Sequence, residues 1–122
     1  MKSGNRKADA VLLDRQLRTD ELTHWEIQQV LLRCTVEDIK KMNEGGDPLL
    51  HMACHLCWER IGARRLLLVF FEDPVFRPLF VDPTYTDRYE LRPIDWLRKK
   101  KGTSSSMGWF ILDDIIHEFG DK

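Results

Sequence analysis

The 122-residue chain carries a formal net charge of -1, with 43% hydrophobic and 32% charged residues. That length fits one domain with a single modest core, and charge of mixed sign argues against broad electrostatic capture of nucleic acid or an anionic membrane. No run approaches the roughly 20 apolar residues of a membrane-spanning helix.

The basic start, Lys2, Arg6 and Lys7, is not followed by the apolar stretch and small-residue cleavage site of a secretory signal. Three cysteines, an odd number, do not make a disulfide framework. The expected setting is therefore reducing, cytoplasmic or nuclear. A helix is predicted over residues 8–18, with Ala10, Leu13 and Leu17 on one stripe. It forms an N-terminal helix or arm over residues 1–19, ahead of a helical repeat domain over 20–122.

Thr23-x-x-Glu26 has the form of a capping box, in which two side chains satisfy the free amides of a helix start. Ile27, Val30, Leu31 and Cys34 follow at the spacing of one buried helix face. Thr35-x-x-Asp38 repeats the box and opens a short helix carrying Val36, Ile39 and Met42. Two boxes so close together imply a tight helical hairpin.

Asn43, Glu44, Gly45, Gly46, Asp47 and Pro48 then read as a turn. A helix over residues 48–58 carries Leu49, Met52, Ala53, Leu56 and Cys57 on one face. Its partner over 62–71 is apolar nearly all round and should be the most buried element. Pro74, Pro78, Pro83 and Pro93 forbid a continuous helix over 72–93. That stretch reads as a long extended loop with one short strand at 79–81. A helix over 94–101 ends at Gly102, and a last one follows the polar linker 103–106, carrying Phe110, Ile111, Leu112, Ile115, Ile116 and Phe119. Seven helices with almost no sheet give an all-α class.

The candidate chemistry falls in three places. His51, Cys54 and His55 share a helix face that could converge on zinc. No second short-spaced ligand pair accompanies them, and Cys57 belongs to the apolar stripe, so structural roles are expected and no metal or other cofactor is assigned. Catalysis is not expected either. Cys34 sits on an apolar stripe, adjacent pairs such as Cys54 and His55 diverge on a helix, and Gly45-Gly46 precedes no phosphate-loop lysine. The basic run Arg98, Lys99, Lys100, Lys101 reads as a solvated helix end. Together with the His51–Cys57 cluster it marks the alternative, a metal-binding or nucleic-acid-associated factor. The four tryptophans, Trp25, Trp58, Trp96 and Trp109, are expected to pack in the core, with Trp109 the one that could be exposed.

The best functional candidate is the aromatic and basic interleaving of the long loop. Arg77, Phe80, Tyr85, Arg88 and Tyr89 include residue types enriched in interface hot spots. A proline-stiffened loop also loses less entropy on binding than a glycine-rich one. These five are the expected partner-binding residues, and the partner is expected to be a protein. The apolar last helix raises the further expectation of a homo-oligomer assembled through it.

An internal repeat underlies this reading. Asn43, Gly46, Asp47, Pro48, Leu49, Leu50, His51 and Ala53 lie over Asp87, Glu90, Leu91, Arg92, Pro93, Ile94, Asp95 and Leu97 at an offset of 44 residues. Both segments pass from an Asx residue through a turn into a helix. The first resembles the G-x-T-P-L-H-x-A helix start of the ankyrin family. Arg92 to Leu97 with Lys99 to Gly102 resembles the opening of that family's C-terminal capping repeat. The chain departs from the pattern at Pro48 and Arg92 in place of threonine, at Leu49 in place of proline and at Asp95 in place of histidine. It also carries a longer loop after the second helix. The resemblance implies a short stack of two to three helix pairs over residues 20 to 120. It further implies a non-enzymatic adaptor that binds through loop tips and inner helices, and it gives His51 the role of bonding the neighbouring loop.

Overall fold

A computed structural model describes residues 6–44, 47–103 and 111–119. Seven α-helices lie among them: α1 (Arg6–Thr19), α2 (His24–Leu32), α3 (Val36–Lys41), α4 (Leu49–Leu56), α5 (Ile61–Glu72), α6 (Pro93–Thr103) and α7 (Ile111–Glu118). The class is all-α. A two-residue antiparallel pair, β1 (Asn43–Glu44) with β2 (Asp47–Pro48), opposes Asn43 to Pro48 and Glu44 to Asp47.

Local chemistry sets the helix starts. Both capping boxes form: the Thr23 hydroxyl accepts from the Glu26 amide while the Glu26 carboxylate accepts from the Thr23 amide, and Thr35 and Asp38 do the same. At α6 the Asp95 carboxylate accepts from the Arg92 amide at 2.9 Å, half of such a box. The strand expected at 79–81 is instead part of a 3₁₀ turn, Arg77–Val81. The reason is local: the Asp73 carboxylate accepts from the Val75 amide at 2.8 Å and turns the chain before Pro78, so no extended run begins.

Packing centres on α4 and α5. These two helices lie against each other, α1 and α2 pack on α5, and α6 packs on α4 with α7 beyond it. One continuous core results, from Leu13 and Leu17 of α1 through Leu50, Ala53, Leu66 and Phe70 to Ile94, Leu97 and Ile115. The segment 1–19 is therefore no free arm where it is described. Asp9 of α1 holds Arg33 at 2.8 Å, buried Gln16 reaches the Gly62 carbonyl at 3.3 Å, and Asp20 holds Arg65 at 2.9 Å. Gly62 is required at this crossing, since a Cβ there would collide with the Gln16 carbonyl oxygen.

The apolar residues of α7 that are described turn inward. Ile115 and Ile116 are buried, and Phe119 stacks on Phe80 with ring centroids 5.5 Å apart. Trp25 departs from its expected core position: it is 64% exposed on α2, whose buried face is formed by Ile27, Val30 and Leu31. Trp58 and Trp96 are half-buried, and Trp109 lies outside the described residues.

Candidate functional site

The five loop residues expected to bind a partner are divided by the fold into two groups. Arg77 and Phe80 lie at the α5–α7 end. Arg77 stands over the Phe71 ring at 4.4 Å, and its guanidinium meets the Glu118 carboxylate at 2.6 Å. Phe80 is fully buried between Phe71 and Phe119. This pair fastens α7, and Phe80 presents no surface.

Tyr85 is also a core residue, 3% exposed. Its ring meets His51 edge-on at 5.0 Å, and its hydroxyl accepts from the Leu50 amide at 3.2 Å; burial pushes its pKa up, against the opposing effect of that bond. Phe80 and Tyr85 are therefore corrections to the expected surface. A loop that covers a core must turn some of its aromatics into it, and these two fill the space beside α4 and α5.

Arg88 and Tyr89 are exposed. They line one cleft of about 240 Å³ together with Asp47, His51, Met52, His55, Asp87 and Trp96. Its back wall is α4, where Asp47, His51 and His55 follow at four-residue steps along one line from β2 into the helix. The facing wall is the turn 87–91 and the first turns of α6. Tyr89 is 64% exposed, and its ring meets Trp96 at 6.4 Å, while His55 meets Trp96 from the other side at 5.6 Å. The three rings stand nearly perpendicular in pairs, at 71° and 80°.

Asp87 builds the turn. One carboxylate oxygen accepts from the Tyr89 amide at 2.9 Å and the Leu91 amide at 3.0 Å, and the other accepts from the Trp96 indole at 2.6 Å. Partial burial opposes ionisation, but these donors and nearby His51 hold the carboxyl below its usual value. The left-handed backbone at Glu90, φ 61°, completes the turn. Asp47 is held less firmly: Arg88 lies 3.5 Å away and both side chains are well exposed.

His51 ties the two walls together. Its Nε2 donates to the Leu91 carbonyl at 2.7 Å, bridging α4 to the turn. Burial lowers its pKa, opposed by that carbonyl and by Asp87, Asp47 and Asp95. Among the described residues its Nδ1 finds no hydrogen-bond partner. α4 has no side-chain cap, because Pro48 occupies the N-cap position and carries no oxygen there.

The remaining chemistry of the sequence lies elsewhere. Cys34, Cys54 and Cys57 are free and buried, the Cys57 thiol donates to the Cys54 carbonyl at 3.2 Å, and burial raises the Cys54 pKa well above its usual value. His55 points instead to the cleft. Among the described residues no group of three or more His, Cys, Asp or Glu is placed to hold a metal ion. Arg98 folds back toward Asp95 at 3.9 Å and Lys99 is exposed, while the side chains of Lys100 and Lys101 lie outside the described residues. No helix among the described residues is long and apolar enough to cross a membrane.

Sequence reading alone did not assign Asp47, Met52, His55 and Trp96 to a common surface. The signal was present in the 44-residue offset, which lays Trp96 over Met52 and so sets the two helix faces side by side. Comparison with protein-family models, with curated proteins and with solved structures found no match to the chain.

Proposed function

We propose that this chain is a non-enzymatic protein-interaction module with ankyrin-like stacking, which binds a protein partner through the cleft between α4 and the 87–96 segment. The observation that carries the reading is the gathering of Arg88, Tyr89 and Trp96 around one open cleft. These are the three residue types most enriched in interface hot spots.

Three further features support the stacking. The β1–β2 pair and the 87–91 turn precede helices that start 44 residues apart, at Leu49 and Pro93. The two helices pack on each other. His51 of the first unit reaches the Leu91 carbonyl in the turn of the next, which is the role the family resemblance assigns it. Binding is favoured over catalysis because the thiols are sealed in the core and the carboxylate of Asp87 is consumed in holding its turn. Free buried thiols suit a reducing compartment, cytoplasmic or nuclear.

The test is affinity capture from extract of the source cell, comparing wild type with a His55→Ala, Tyr89→Ala double variant of unchanged helicity. Both side chains are exposed, so the fold is expected to survive. A protein retained by wild type and lost from the variant is the expected result. Equal retention by both would refute the cleft as the interface.

A further inference from the structure

The chemistry of the cleft narrows what the partner presents there. Its volume of about 240 Å³ is enough to take one long side chain. Three rings, His55, Tyr89 and Trp96, meet edge to face around it. The π-face of an aromatic ring is its negative part and attracts a cation placed over it. Two carboxylates share the cleft. Asp87 is committed to its turn, so its charge is present but its oxygens are occupied. Asp47 is different. Its 3.5 Å separation from Arg88 is long beside the roughly 2.7–2.9 Å of a well-made charge-assisted bond, and its side chain is 38% exposed.

We propose that the cleft takes a cationic side chain, a lysine or arginine of the protein partner, with its charged head among the rings of His55, Tyr89 and Trp96 and against the Asp47 carboxylate. This rests on the interface reading above and specifies the partner's chemistry. Buried His51 is held uncharged and adds no repulsion.

The experiment is a titration of the full chain followed through the Trp96 indole N–H resonance, assigned by its loss in Trp96→Phe. The probes are short Gly/Ser peptides carrying one central lysine, Nε-acetyl-lysine or glutamate. The lysine peptide is expected to move the Trp96 resonance, and acetylation to weaken binding about tenfold or more. Asp47→Asn is expected to weaken binding of the lysine peptide about threefold. Equal binding of lysine and acetyl-lysine, preference for glutamate, or no response to any peptide would each overturn the cationic assignment. Those outcomes leave the capture result untouched. Conversely, a partner retained by the His55→Ala, Tyr89→Ala variant removes the interface reading even where the lysine peptide binds, so the two failures are distinct.

Discussion

Tyr85 shows how one hydroxyl can decide which way a loop residue faces. It accepts from the Leu50 amide, a buried donor in the first turn of α4 that the helix itself cannot satisfy. Tyr85→Phe keeps the ring and orphans that amide, so unfolding free energy is expected to fall by about 1–3 kcal/mol in urea titration. Unchanged stability would mean that the amide finds another acceptor. His51 adds a pH dependence with a definite sign. In the unfolded chain a histidine takes up its proton near the ordinary value of about 6.5, and in the fold burial lowers that value. Between the two, the unfolded state holds more protons, so stability is full at higher pH and falls as pH drops below about 6.5. Urea midpoints at about pH 7.5 and about pH 5.5 should differ in that direction, and the difference should shrink in His51→Gln. A midpoint that rises on acidification would contradict a buried, uncharged His51. Neither orientation was readable from sequence. Phe76, Phe80, Tyr85 and Tyr89 alternate through one polar stretch, and only long-range packing separates the first three, which are buried, from the last.

At the scale of elements, cap chemistry was legible and tertiary contact was not. Thr23 with Glu26, and Thr35 with Asp38, each act across three positions, so their boxes follow from local sequence. Thr35→Ala is expected to cost about 1 kcal/mol, read by thermal or urea unfolding. The strand expected at 79–81 failed because an Asp73 turn and Pro78 outweigh the β-propensity of Leu79, Phe80 and Val81. The docking of α1 was invisible for another reason: its anchors pair residues more than twenty positions apart, Asp9 with Arg33 and Gln16 with Gly62. Gly62→Ala drives a methyl into the Gln16 carbonyl and within 2.9 Å of the Asp20 amide nitrogen. It should cost about 3 kcal/mol or more, by overpacking a crossing made of backbone that has little room to yield. Arg77→Ala loosens a different end. It removes the ion pair with Glu118 and the contact over Phe71, so amide exchange in α7 should quicken while that of α4 and α5 stays slow. Equal exchange in α7 would show that Ile115 and Ile116 hold the helix without it.

Across the whole molecule, α4 belongs to the core and to the cleft at once. Leu50, Ala53 and Cys54 face the core, while His51, Met52 and His55 line the cleft, so the cleft rests directly on the core. The all-α class and the order of the helices were legible from period and turn chemistry. The cleft was legible only in halves, Arg88 and Tyr89 from the loop's composition and Trp96 as an expected core residue, because the surface exists only once α6 lies on α4. The most direct measurement is amide hydrogen exchange of the full chain with and without the protein recovered by capture. Slowed exchange over residues 47–55 and 87–96, with α2 unchanged, is the expected result. Slowed exchange confined to α2, around exposed Trp25 and Leu32, would contradict the account and place the partner on the exposed face of α2.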